Sequence, residues 1–309
     1  MNQEFTIPEL TEVVARLAAL LGPRDGTVVQ LEGGITNRNF RVNFGGHDYV
    51  VRLPGKRTAL LGIDREAECI ANKAAAELGM APRVAALLDE PSALVTAFVS
   101  GREMKAEELR EPETIAEVAH DLRQLHDSGT ELPTGFDSFR LVEEYAETGR
   151  EHGSEPPEGY DNALEAANAI EAAIKGQPGH EPVPAHNDLL PANFLRDRDR
   201  MQLIDWEYAG MGDRWFDLGN FAVNNELDDE QEAQLLEAYF GEPASDQQRA
   251  TLKLFRFMSD YREAMWGVVQ AGVSELDFDF REYAQKHFDR LEKARSDPRF
   301  EGWIEETRS

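Results

Sequence analysis

Ala185-His186-Asn187-Asp188-Leu189-Leu190-Pro191-Ala192-Asn193-Phe194-Leu195, followed by Met201-Gln202-Leu203-Ile204-Asp205-Trp206-Glu207-Tyr208, is the stretch on which the reading of this chain turns. Within about twenty residues it offers an Asp close to a His, an Asn five positions later, and a second Asp after a short apolar run. Phosphoryl transfer uses such a set. One carboxylate orients and accepts the proton of the attacking hydroxyl, while an Asn oxygen and another carboxylate hold the magnesium that neutralises the phosphates. Here the order is Asp188, Asn193, Asp205. The plain alternative is a polar turn between two strands, so the rest of the chain must supply the context.

The chain has 309 residues, room for one large or two ordinary domains with a real core. No apolar run approaches the length of a membrane span. Met1-Asn2-Gln3-Glu4-Phe5 has neither a basic nor an apolar leader segment, so no secretory signal is expected. Cys69 is the only cysteine, which excludes an intrachain disulfide and fits a reducing cytoplasm. With 32 basic and 59 acidic residues the net charge is −27. That opposes binding to nucleic acid or to anionic membranes and favours a cationic small molecule. The excess acid also reads as a solvated surface unrelated to any substrate.

Working outward from the central stretch, apolar periodicity predicts a helix over 7–21, then β-like runs over 27–31, 39–44 and 47–53. Gly45-Gly46 joins the last two as a hairpin. A helix over 64–78 and strands over 83–88 and 93–99 follow, ending at Ser100-Gly101. Beyond residue 101 the pattern is mostly helical: 113–126, 162–174, 215–225, 230–240, 247–269 and 280–294. The polar stretch 146–157, rich in Gly, Pro and Glu, reads as a loop.

Gly33-Gly34 precedes Ile35-Thr36-Asn37 between two strand-like runs, and successive backbone N–H groups there could form an anion-binding concavity. Taken alone the pair is equally an ordinary turn. Arg52 is a cation on an otherwise apolar strand, placed to reach the α- and β-phosphates of a nucleotide as the strand lysine of protein kinases does; a solvent-facing arginine competes with that reading. Such a cation needs a carboxylate to hold it. Glu66 and Glu68 both sit in the first turns of the 64–78 helix, and Glu68 is preferred because Ala67, Ile70, Ala71 and Ala74 put the apolar side near it.

These pieces together resemble the choline/ethanolamine kinase family, within the aminoglycoside-phosphotransferase-like small-molecule kinases. The matching motifs are Gly33-Gly34-Ile35-Thr36-Asn37, Val51-Arg52-Leu53-Pro54-Gly55, Ile63-Asp64-Arg65-Glu66-Ala67-Glu68, His186 to Asn193, Ile204-Asp205-Trp206-Glu207-Tyr208, Asp217-Leu218-Gly219-Asn220 and Met265-Trp266-Gly267-Val268-Val269-Gln270-Ala271. The Asp188–Asn193 interval equals that of the protein-kinase catalytic loop. The resemblance implies an α+β, protein-kinase-like two-lobed fold: a small antiparallel-sheet N-terminal lobe over 1–99 and a larger, mostly helical C-terminal lobe over 100–309. It implies ATP and Mg2+ as cofactors, with Gly33, Gly34, Thr36, Asn37, Arg52 and Glu68 on the nucleotide side. Asn193 and Asp205 would be the metal ligands, Asp188 the catalytic base, and Asp217 a brace for the catalytic loop. Trp266 and Tyr283 match positions that line an amino-alcohol pocket, where aromatic faces attract a cation; a tryptophan in the core of its helix is the competing reading for Trp266.

Two departures stand out. Trp206 replaces a phenylalanine usual in the family, a packing change. Glu263 stands one helical turn before Trp266, where animal choline kinases commonly carry a second tryptophan, and would suit a primary ammonium at least as well as a trimethylammonium. The expected partner is therefore a small cationic alcohol, choline or ethanolamine first, with no nucleic acid and no membrane insertion; a homodimer is compatible. Alternatives are a kinase for another amine-bearing metabolite (thiamine, an aminoglycoside or an amino sugar), a non-catalytic kinase-like binding module, and a hydrolase with a transition metal on His186, Asp188 and Asp205. Oxygen ligands favour magnesium over that last option.

Overall fold

The computed structural model describes residues 7–31 and 36–308. In chain order the elements are α1 (Pro8–Leu21), β1 (Arg24–Gln30), β2 (Asn37–Phe44), β3 (His47–Pro54), α2 (Arg65–Glu77), β4 (Val84–Asp89), β5 (Ser92–Ala97), β6 (Arg102–Glu103), α3 (Ala106–Leu109), α4 (Pro112–His126), β7 (Gly135–Phe136), α5 (Ser138–Glu151) and α6 (Tyr160–Ile174). Then follow β8 (Pro182–Ala185), β9 (Phe194–Asp197), β10 (Arg200–Leu203), β11 (Gly210–Asp213), α7 (Arg214–Asn224), α8 (Asp229–Phe240), α9 (Asp246–Val273), α10 (Phe280–Arg295) and α11 (Phe300–Thr307). Among the described residues, no helix is long and apolar enough to cross a membrane.

Two compact units emerge, residues 1–102 with 195–207, and residues 103–194 with 208–309. The first differs from a single cut after residue 99 by taking in the 195–207 segment. Leu203 N–H donates to the Met80 carbonyl at 2.7 Å and Gln202 Nε2 to that of Gly79 at 2.9 Å, which ties the segment to the end of α2. Its sheet runs β1-β2-β3-β5-β4 with antiparallel neighbours. Leu10, Val13 and Leu17 of α1 are buried with Phe40, Val42, Phe44, Val51 and Leu53 of the sheet. Strand side chains alternate between faces, so Arg52, between Val51 and Leu53, points away from this core. The Asp64 side chain caps α2, accepting from the N–H groups of Glu66 and Ala67.

The second unit is built on α9, a 28-residue helix that is buried on nearly every side from Leu254 to Gln270. Such a helix is the centre of a bundle rather than its surface. Gly219 of α7 lies so close to it that a Cβ would sit 2.5 Å from the Phe255 carbonyl carbon. The expected loop over 146–157 is corrected in its first part: α5 continues to Glu151, and Tyr145, Ala146 and Gly149 are buried. Composition misled here because Gly149 serves packing. A Cβ on it would meet the Ser154 carbonyl oxygen and a Val268 methyl at 2.8 Å. Close packing outweighs the helix penalty of glycine, about 1 kcal/mol.

Candidate active site

In the first unit Arg52 is the hub of an ionic cluster. Its Nη1 lies 2.6 Å from Glu68 Oε1 and 2.6 Å from Asp205 Oδ1. Glu68 is buried, whereas Glu66 is exposed and takes no part. Arg65 joins the other Glu68 oxygen at 2.6 Å and donates to Asn37 Oδ1 at 2.6 Å. Glu207 accepts from the Thr36 hydroxyl and, at 2.7 Å, from Asn37 Nδ2. Thr36 and Asn37 are thus anchored to the segment that carries Asp205. Gly33 and Gly34 lie outside the described residues.

The electrostatics follow from this arrangement. Burial alone would lower the pKa of Arg52, but the Asp205, Glu68 and Glu207 carboxylates outweigh it and hold the guanidinium charged. Three carboxylates share two guanidiniums, and Glu207 bears the excess: burial, then the Asp205 charge, pushes its carboxyl up to about 7. Asp205 sits in the left-handed region at φ 66°, uncommon for a residue with a side chain.

In the second unit β8 leads into the His186-Asn187-Asp188 turn. Asn187 also adopts a left-handed φ of 66°. Asp217, fully buried on α7, accepts from the His186 N–H at 2.9 Å and the Asn187 N–H at 2.7 Å. His126 of α4 lies 3.0 Å from the same carboxylate and, by its other nitrogen, 2.7 Å from the Tyr239 hydroxyl. Asn220, one turn along α7 from Asp217, accepts from the Leu189 N–H. Asn193 Nδ2 donates to the Asp188 carbonyl at 2.7 Å and to Asp188 Oδ2 at 3.0 Å. The five-residue interval closes through a single 3₁₀ turn, Pro191–Asn193.

The three residues expected around an amine also come together in this unit. Tyr283 OH donates to Glu263 Oε2 at 2.8 Å, and its ring meets that of Trp266 edge-on at 5.6 Å. Trp266 is 7 % exposed, packs edge-on against Phe280, and donates its indole N–H to the Tyr208 hydroxyl at 2.8 Å. Glu263 is 2 % exposed and lies 2.7 Å from Arg262, a charge contact without hydrogen-bond alignment.

Sequence reasoning gave no role to Arg65, Glu207 or Arg262. Arg65 was signalled by its (i, i+3) spacing from Glu68 on one helix. Glu207 stood within a motif, two residues after Asp205. Arg262 carried no local signal for a place beside the turn, since its partners there lie 74 and 75 residues away.

Comparison with known proteins agrees with this chemistry. Residues 27–254 match the model of the APH phosphotransferase enzyme family. The fold is similar to that of a choline/ethanolamine kinase family protein from Mesorhizobium loti, with 30% identity, a TM-score of 0.82, and coverage of 97% of this chain and 99% of that one. Choline kinase LicA from Streptococcus pneumoniae is similar at 25% identity and a TM-score of 0.76, covering 92% and 98% of the two chains. Ethanolamine kinase 2 from Rattus norvegicus is 28% identical over 96% of this chain and 83% of its own length.

Proposed function

The chain belongs to the APH phosphotransferase enzyme family, and from that premise we propose that it transfers the γ-phosphoryl group of ATP to the hydroxyl of a small cationic alcohol, choline or ethanolamine. The observation that carries the reading is the Asp188–Asn193 pair, a carboxylate hydrogen-bonded to an amide five residues on, in a turn braced by Asp217. Asp188 takes the proton of the attacking hydroxyl as the new P–O bond forms. Bracing fixes the carboxylate before the substrate arrives, which removes a reorganisation cost from the reaction. Arg52 is held charged by Glu68 and Asp205 and would meet the α- and β-phosphates of the nucleotide.

Magnesium is part of this proposal, with Asn193 and Asp205 as the protein ligands that would hold it. The donor set fits. Asn193 spends its amide N–H groups on Asp188, so its oxygen is the atom left for a cation. Among the described residues no cluster of three or more His, Cys, Asp or Glu side chains is arranged to hold a metal. Magnesium commonly binds through one or two protein oxygens plus phosphates and water, so it needs no such cage. When bound, it would neutralise phosphate charge.

On the acceptor side, Trp266 and Tyr283 supply aromatic faces for a cation. The test is nucleotide consumption against choline, ethanolamine, thiamine, an aminoglycoside and an amino sugar. Turnover highest with choline or ethanolamine is expected. Highest turnover with another amine would reassign the substrate, and no consumption above the rate with water would refute the proposed kinase activity.

A further inference from the structure

Arg262 is a guanidinium with no exposed role: it is 1 % exposed, in the middle of α9. Burying a charge costs several kcal/mol unless partners offset it. Glu263, its neighbour in sequence, is one partner, 2.7 Å from Nη1. That pairing uses only one end of the guanidinium. The other nitrogen, Nη2, donates to the Asn187 carbonyl and lies 3.5 Å from Asp188 Oδ1. The guanidinium carbon also sits 4.9 Å from the centre of the Tyr208 ring.

Both sides of Asn187 are therefore held. Its N–H is taken by Asp217 from α7, and its carbonyl by Arg262 from α9. The residue needs holding, because it sits at φ 66° and its carbonyl belongs to the peptide that aims Asp188. Glu263 in turn accepts from Tyr283 OH, so a continuous polar chain runs from α10 through α9 to the turn.

We propose that Arg262 is a positioning residue for phosphoryl transfer, fixing the Asn187–Asp188 peptide and the Asp188 carboxylate, and that Glu263 neutralises Arg262 rather than binding the ammonium group of the substrate. This rests on the kinase reading above. It makes Glu263 equally important for a primary and a quaternary amine.

The experiment uses the full chain with Arg262→Met, Arg262→Lys and Glu263→Gln. Three quantities are read: kcat per ATP-binding site, KM for ATP, choline and ethanolamine, and hydrogen exchange of the 186–189 amides. Misplacing a reacting group by about 1 Å costs on the order of a hundredfold. Arg262→Met is therefore expected to lower kcat about a hundredfold with KM for ATP within about threefold. Its 186–189 amides should exchange about tenfold faster, with those of 250–258 in α9 unchanged. Arg262→Lys, which keeps a charged donor, should recover about a tenth of wild-type kcat, and it carries the same readings if the Met variant does not fold. Glu263→Gln should lower kcat by the same factor for choline and ethanolamine. The assignment is overturned if kcat per ATP-binding site or the 186–189 exchange stays at the wild-type value in the Arg262 variants, or if Glu263→Gln raises KM for ethanolamine alone. A wild-type protein inactive on every amine would sink the proposed function instead, leaving hydrogen exchange to decide whether Arg262 holds the turn.

Discussion

Replacing Asp217 tests the idea that the Asp188 turn is held from α7. The carboxylate accepts from two backbone N–H groups, those of His186 and Asn187, and both residues are fully buried. Asp217→Ala leaves both donors without a partner, at about 1–3 kcal/mol each, so a loss of about 4 kcal/mol is expected. Asp217→Asn keeps one acceptor oxygen and turns an amide group towards the other donor, giving about 2 kcal/mol. Urea denaturation, followed by tryptophan fluorescence, reads both as midpoint shifts. The pH dependence adds a second constraint. Burial pushes the Asp217 carboxyl up, but the hydrogen bond and charge of His126, with help from His186, hold it below its usual 3.8. The folded state therefore binds fewer protons at this group than the unfolded state. Its contribution is present above about pH 4 and is lost as pH falls through the folded pKa. The gap between wild type and Asp217→Asn should narrow as pH falls below about pH 4. A loss under about 1 kcal/mol for Asp217→Ala would refute the brace, and a gap that narrows near pH 6 would refute the ionised carboxylate as its source.

Asp188→Asn keeps the shape of the side chain but removes the base, so kcat should fall at least about a hundredfold while ATP still binds by calorimetry; near-normal turnover would remove Asp188 from the chemistry. Asp205→Ala should abolish magnesium-dependent ATP consumption, and Asn193→Ala should raise the magnesium concentration needed for half-maximal rate. Full activity of the Asp205 variant in a chelator would end the proposed metal site. Trp266→Leu should raise KM for the amine about thirtyfold, the equivalent of a desolvated cation–π contact of about 2 kcal/mol, with KM for ATP unchanged. Equal rises in both constants would assign Trp266 to the core alone.

Sequence reading reached furthest where partners lie on one short segment or one periodic element. Asp188 and Asn193 meet through a single turn, so their spacing already encodes their contact. The apolar stripe of α2 pointed to Glu68 because a helix puts residues three and four apart on one face. The five strands and their inserted helix were legible from alternation and glycine punctuation for the same reason. α5 was missed in part because Gly149 looks like a breaker until Val268 and Ser154 are seen against it. Asp217 was placed through resemblance, and only the folded chain gives its role as acceptor for two backbone N–H groups.

By itself, then, the sequence determined the order of the N-terminal strands and of most of the helices, the acidic and single-cysteine character, and the spacing through which Asp188 meets Asn193, all of which follow from local spacing or composition. Tertiary structure alone decided how charges share partners. Beyond the Glu68 already legible on its helix, Arg52 meets Asp205 across 153 residues, and Arg262 meets Asn187 across 75. A charged side chain can be buried only where its partners converge in space. No period of helix or strand spans those intervals, so the Arg52–Asp205 pair and the Arg262–Asn187 bond cannot be read from the sequence.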